Sequence, residues 1–80
     1  MNPTEAHALL ERLLQAIAPE IDLDSAHPQA PLQQELDLDS MDFLNLVTAL
    51  HEETGIDIPE RDYPRLASIE GFVGYIVDAS

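Results

Sequence analysis

Apolar residues recur at helical spacing in three stretches of this chain, and the one strand-like run, Ile56-Asp57-Ile58, has no second run to pair with. In the first stretch Ala6, Leu9, Leu10, Leu13 and Ile17 form one stripe. Asn2 stands before it as N-cap, Pro3 suits the first helical position, and Glu5 can reach back from the third. The pattern predicts a helix from Pro3 to Ala18. In the second stretch Phe43, Leu46, Val47 and Leu50 fall at i, i+3, i+4 and i+7. That helix is expected to open at Asp39 or Ser40 and to run to Thr54, where Gly55 offers the left-handed position that ends helices. In the third, Ser68 caps a helix that turns Ile69, Phe72, Val73 and Ile76 inward. Gly71 and Gly74 weaken it by about 1 kcal/mol each relative to alanine, so it depends on tertiary packing.

The connections are irregular. From Pro19 to Leu38 the chain carries Pro28, Pro31 and scattered acids without helical periodicity, which predicts a long loop, with room for one short helical turn. Such a loop has to be tied down, and Ile21, Leu23, Leu32 and Leu36 are the apolar pegs for it. Ile56-Asp57-Ile58 is expected to be an extended link burying both isoleucines. Pro59 then opens a single turn through Tyr63, which Pro64 limits. The sum is one domain spanning residues 1–80, all-α, a small four-helix bundle of three main helices and one short one, with the long loop between the first two. There is no internal repeat and no low-complexity segment.

Sixteen acids against three arginines and no lysine give a formal charge of −13. That balance repels phosphate and so opposes nucleic-acid and anionic-membrane binding; partners are expected to present basic patches. The 45% apolar content, periodically arranged, argues against disorder. Zero cysteines mean that any thiol chemistry here needs a thiol supplied from outside. Met1-Asn2-Pro3-Thr4-Glu5 lacks a basic signal-peptide region and no apolar run approaches spanning length, so the chain is expected to be cytoplasmic. Eighty residues hold one core and no cleft between lobes, which points away from a self-contained enzyme; the chain is expected to be a monomer.

The chemistry concentrates in Asp37-Leu38-Asp39-Ser40-Met41-Asp42-Phe43. The same Asp-Leu-Asp-Ser letters occur at Asp22-Leu23-Asp24-Ser25, but Ala26-His27-Pro28 follows there and no helix can continue. Only Ser40 is mounted on a rigid element. Serine is itself a favoured N-cap, so one reading of Ser40 is a hydroxyl that satisfies a backbone N–H. But Asp39 caps as well as serine and gains from the helix dipole, so Asp39 can cap while Ser40 sits at the first helical position with its hydroxyl free. Ser40 has no local catalytic partner: His51 lies eleven residues on, about 16 Å along the axis, far beyond hydrogen-bond reach. His7 and His27 are expected to be solvated surface histidines. Met41 and Leu44 fall off the core stripe, on a face shared with Asn45, Thr48 and Glu52, so two exposed apolar side chains rimmed by acids such as Asp42 offer a docking surface. A calcium loop starting at Asp37 fails at Asp42, where glycine is needed, and at Thr48, where a bidentate glutamate is needed. With no Cys/His ligand set either, no metal centre is expected, only loose surface binding of divalent cations by the dense acids.

On these residues the chain resembles the acyl carrier protein family of phosphopantetheine carriers. The likeness covers the capped first helix, the long acidic loop, Leu36-Asp37-Leu38-Asp39-Ser40-Met41 opening the second helix, Ile56-Asp57-Ile58-Pro59 closing it, and a final helix with Tyr75-Ile76. The resemblance implies that Ser40, with Asp39 beside it, carries a 4′-phosphopantetheine arm through a phosphodiester bond, installed by a phosphopantetheinyl transferase. Fatty-acyl, aminoacyl or ketide groups, as in fatty acid, polyketide or nonribosomal peptide biosynthesis, would ride on the arm as thioesters. This would supply the missing thiol. It further implies docking of loading and transfer enzymes through Met41, Asp42, Leu44, Asn45 and Thr48. The chain starts just before its first helix and ends just after its last, as a freestanding carrier would. The alternative is a carrier-like interaction module with Ser40 unmodified. Two departures stand out: the family often has glycine where Asp37 stands, and Asn45, Thr48 and His51 dilute an exposed face that fatty-acid carriers keep acidic.

Overall fold

A computed structural model describes all of residues 1–80. Its helices are α1 (Pro3–Ile17), α2 (Leu32–Glu35), α3 (Ser40–Thr54) and α4 (Ile69–Ala79), with 3-10 segments at Leu23–Ser25 and Glu60–Leu66. The architecture is the all-α bundle expected, and the expected long helices fall within a residue or two of their predicted bounds. No helix is long and apolar enough to cross a membrane.

Local chemistry sets the helix ends. The Asn2 carboxamide oxygen accepts from the Glu5 amide at 2.8 Å and the Asn2 amide donates to the Glu5 carboxylate at 3.2 Å, a reciprocal capping box. Gly55, at φ 75°, closes α3 in the left-handed conformation that costs glycine nothing sterically. Ser68 Oγ accepts from the Gly71 amide at 3.0 Å and starts α4. α1 packs against both α3 and α4, and α4 against the 60–66 segment, so α1 is the spine of the bundle.

A single core of 17 buried residues results, with no buried charged group. Within it the stripes are shifted slightly from those the spacing predicts. Leu14 is fully buried while Ile17 is only half-buried, because α1 has partners on two sides and its apolar face widens accordingly. Phe43 is half-buried, with its ring edge-on to Tyr63 at 5.8 Å between centroids. On α4 Tyr75 is buried together with Ile69, Phe72 and Ile76, while Val73, expected to turn inward, is only half-buried. Tyr75 tolerates burial because its hydroxyl donates to Asp62 at 2.8 Å and the Arg65 guanidinium covers its ring at 4.7 Å. Burial, together with the neighbouring Asp62 carboxylate that accepts this bond, pushes the Tyr75 phenol above its ordinary range.

Two connections differ from expectation. Ile56 is buried but Ile58 only half-buried, so the link after α3 pegs once firmly. The segment opened by Pro59 continues through Pro64 to Leu66, since it is wound as a 3-10 helix, whose i+3 bonding does not call on the i−4 hydrogen bond that proline removes from α-helices. Gly71 has a packing role there: a Cβ at that position would run into the Arg65 carbonyl, so the glycine that weakens α4 also lets this segment lie against it. The long loop is held by Leu23 and Leu32, both buried, while Ile21 and Leu36 are half-buried. Backbone bonds add to the pegs: the Leu32 amide donates to the Ala67 carbonyl at 2.6 Å and the Glu70 amide to Pro28 at 3.0 Å, tying the loop to the start of α4.

Leu50, fully buried on α3, and Met41, 73% exposed on the same helix, separate folding from surface function. Leu50→Ala is expected to lower the unfolding free energy by about 2–5 kcal/mol in urea titration, and Met41→Ala to change it by less than about 0.5 kcal/mol.

Candidate functional site

The first turn of α3 is positioned by the residues just before it. α2 ends in a Schellman motif: the Leu38 amide donates to the Gln33 carbonyl at 2.8 Å and the Asp37 amide to Gln34 at 3.4 Å. Asp37 takes the left-handed position at φ 55°, and is the one non-glycine residue with positive φ. Leu38, next along, drops into the core. Asp37 therefore occupies a position whose backbone favours glycine, and aspartate is among the few residues that reach that conformation readily.

Asp39 follows in extended conformation, and its carboxylate accepts from the Asp42 amide at 2.8 Å, making it the N-cap of α3. Ser40 is thereby the first helical residue. It is exposed, and no hydrogen bond engages its hydroxyl. Ser25, in the second copy of the tetrapeptide, is occupied: its hydroxyl donates to the Asp22 carboxylate at 2.6 Å within a single 3-10 turn. The two serines share local sequence and differ in whether the hydroxyl is free and in what stands behind it.

Ser40 has no base to activate it. His51 sits at the far end of α3, where its Nδ1 donates to the Ile56 carbonyl at 2.9 Å; the carbonyl can only accept, which fixes the tautomer. His27 Nδ1 accepts from the Gln29 amide at 3.2 Å. Both of these histidines are exposed, but His7 is half-buried, a departure from the expected solvated surface. An unactivated, exposed hydroxyl suits a group modified by another protein's catalytic machinery.

Beside Ser40 runs a groove of about 550 Å³ between the start of α3 and the 60–66 segment. Ser40 is on its rim, Phe43, Leu44, Tyr63 and Leu66 give it apolar walls, and Gln33 and Glu60 give it polar ones. Of these, Phe43 was expected in the core, and Gln33, Glu60, Tyr63 and Leu66 were not marked as site residues by the sequence, since they come from two segments too short and irregular for periodicity to place. Farther along the exposed face of α3 lie Met41, Leu44 (49% exposed), Asn45 and Thr48, with Asp42 half-buried at its edge. The structure thus brings together the residues proposed for docking on one helix. Asp37, Asp39 and Asp42 flank Ser40 in sequence, and none of their carboxylates is in an ion pair: Arg12 pairs with Glu53 at 2.6 Å and Arg65 with Asp78 at 3.2 Å, the two ion pairs of the chain.

An arm attached through a phosphodiester fits this arrangement. The Ser40 and Met41 amides have no acceptor within the helix, the Asp42 amide being taken by Asp39, and the dipole is positive there. The helix start therefore offsets the charge of an anion on Ser40 Oγ, while the groove offers apolar cover to what the anion carries.

Comparison with known proteins agrees in kind. Residues 11–76 match the family model described as a phosphopantetheine attachment site. The acyl carrier protein of Helicobacter pylori strain G27 is 33% identical over 73 residues, covering 89% of this chain and 94% of the relative. That of Thermosynechococcus vestitus is 30% identical over 78 residues, covering 95% and 93%. That of Campylobacter jejuni strain RM1221 is 38% identical over 56 residues, covering 70% and 73%.

The left-handed backbone at Asp37 can be tested directly. Asp37→Gly, which relieves the strain but loosens the unfolded chain, is expected to leave stability within about 1 kcal/mol, while Asp37→Val is expected to lose about 2 kcal/mol. Denaturant midpoints read both, and the Ser40 amide resonance should stay in place for glycine and shift for valine.

Proposed function

The chain belongs to the acyl carrier protein family of phosphopantetheine-bearing carriers, and we propose that Ser40 is where this member carries its 4′-phosphopantetheine. The observation that supports this most is the free, exposed hydroxyl of Ser40 at the first position of α3, with Asp39 already satisfying the cap. Attachment joins Ser40 Oγ to phosphorus; the P–O bond to the adenosine 3′,5′-bisphosphate of coenzyme A breaks, and the hydroxyl proton passes to the transferase. The arm then supplies the terminal thiol that this cysteine-free chain lacks, and acyl groups travel on it as thioesters. Ser40 holds, and the groove beside it shields; no residue of the chain is asked to catalyse.

Family membership implies a phosphopantetheinyl transferase and acyl-handling enzymes as partners. In our reading they grip α3 through Met41 and Leu44, with Asp42, Asn45 and Thr48 around them, and bring basic patches to the unpaired acids near Ser40. Because Asn45, Thr48 and His51 thin the negative charge on this helix, its own enzymes rely more on apolar contact and less on long-range steering than fatty-acid synthase enzymes do. The carrier works as a monomer in the cytoplasm.

Incubation with coenzyme A and a broad-specificity phosphopantetheinyl transferase should add one phosphopantetheine. Ser40→Ala should abolish the addition, Ser25→Ala should leave it, and modification surviving Ser40→Ala would place the arm elsewhere. For docking, Met41→Ala and Leu44→Ala should slow loading by the native enzymes without loss of fold, and Asn45→Glu should raise turnover by fatty-acid synthase enzymes relative to the native set. Wild-type protein serving the fatty-acid enzymes as well as their own carrier does would mark it as a general acyl carrier.

A further inference from the structure

Away from the Ser40 groove, three potential ligands converge. His7 and Glu11 stand one turn apart on α1, so their side chains share a face, and Asp24 approaches from the 3-10 turn of the long loop. One ligand atom from each, an imidazole nitrogen and two carboxylate oxygens, lies within 4.8 Å of the others. None of the three side chains makes a hydrogen bond or an ion pair, and the nearest-in-sequence cation, Arg12, is taken by Glu53. An oxygen of each of two carboxylates thus lies within 4.8 Å of the other with no cationic partner, in a chain already carrying a charge of −13. The position of Asp24 is set: the Asp22 carboxylate caps this turn by accepting from the Asp24 amide at 3.2 Å, and Leu23 between them is buried.

We propose that His7, Glu11 and Asp24 form a zinc-class cation site that pins the long loop to α1. The donor set selects the ion: imidazole suits Zn²⁺, Co²⁺ or Ni²⁺, whereas Ca²⁺ and Mg²⁺ take oxygen ligands. Ligands about 2.0–2.2 Å from zinc stand about 3.3 Å apart, so the atoms close by about an ångström and a half, within reach of rotamer changes in half-buried and exposed side chains. His7 and Asp24 also line an open cleft of about 700 Å³, from which water completes the coordination. The cleft shares no lining residue with the groove at Ser40, so the cation acts on the order of the loop and not on the arm. This site departs from the expectation from sequence, which was of no metal centre and only loose surface binding of divalent cations.

The test uses untagged full-length protein at moderate ionic strength, where general screening of the acidic surface is already in place. Zinc chloride titrated into ¹⁵N-labelled protein should saturate at one ion per chain, with shifts centred on residues 7, 11 and 24, and should raise the melting temperature. His7→Ala and Glu11→Gln should each weaken binding by about tenfold or more, with the circular dichroism of the folded protein unchanged. Magnesium chloride at the same concentrations should give neither effect. The proposal fails if zinc does not saturate, if the shifts centre on other acids, if both variants bind as wild type does, or if magnesium matches zinc. Phosphopantetheine transfer to Ser40 is unaffected by any of these outcomes, so the carrier reading stands or falls separately.

Discussion

The site depends on one reversal of the backbone, the left-handed turn at Asp37 between α2 and α3. With the turn made, Leu38 enters the core, Asp39 reaches the cap position in extended conformation, and Ser40 emerges as the first residue of a helix with its hydroxyl outward. A residue unable to adopt φ near 55° would shift that order, and the side chain meeting solvent at the start of α3 would change. The turn is itself held from behind. α2 is a single turn that would not persist alone, and it is kept by the buried Leu32 and by the Leu32 amide bonded to Ala67 at the foot of α4. Packing at one end of the bundle is in this way linked to the presentation of one hydroxyl.

Electrostatics then separates what the protein holds from what it leaves for others. The two ion pairs engage Arg12 and Arg65, and Arg65 also covers Tyr75, which fastens the groove-forming 60–66 segment to α4. The carboxylates around Ser40 receive no such compensation. Acids near a helix start that lack a cationic partner contribute little to stability and repel one another, which is the reason for proposing that they meet a basic surface on a partner. Met41 and Leu44, the exposed large apolar residues of α3, are the side chains that would give such an encounter its apolar centre in the proposed reading.

Much of this was legible in the chain. The three long helices, their caps at Asn2, Asp39 and Ser68, the glycine stop at Gly55 and the free position of Ser40 all follow from short-range rules, and the structure has each. What escaped depends on contacts distant in sequence. Tyr75 is buried because Asp62 and Arg65 attend it from another segment, Gly71 is required by the Arg65 carbonyl, and the wall of the groove at Tyr63 and Glu60 comes from a 3-10 run that periodicity cannot register. Asp37 reads in sequence as a departure from the glycine common in the family. Its meaning needs the backbone, where aspartate proves to be a workable substitute in a left-handed position. The gathering of His7, Glu11 and Asp24 is similarly invisible until the loop is laid across α1.

The assignment of Ser40 as the point where the arm is held is tested most directly on protein isolated from its own cells, by intact mass and by fragmentation of the peptide spanning residues 36–50. A phosphopantetheine adduct borne by Ser40 in at least part of the population is the expected result. Ser40 found bare throughout, in cells whose other carriers bear the arm, would contradict it and leave a carrier fold used for interaction alone.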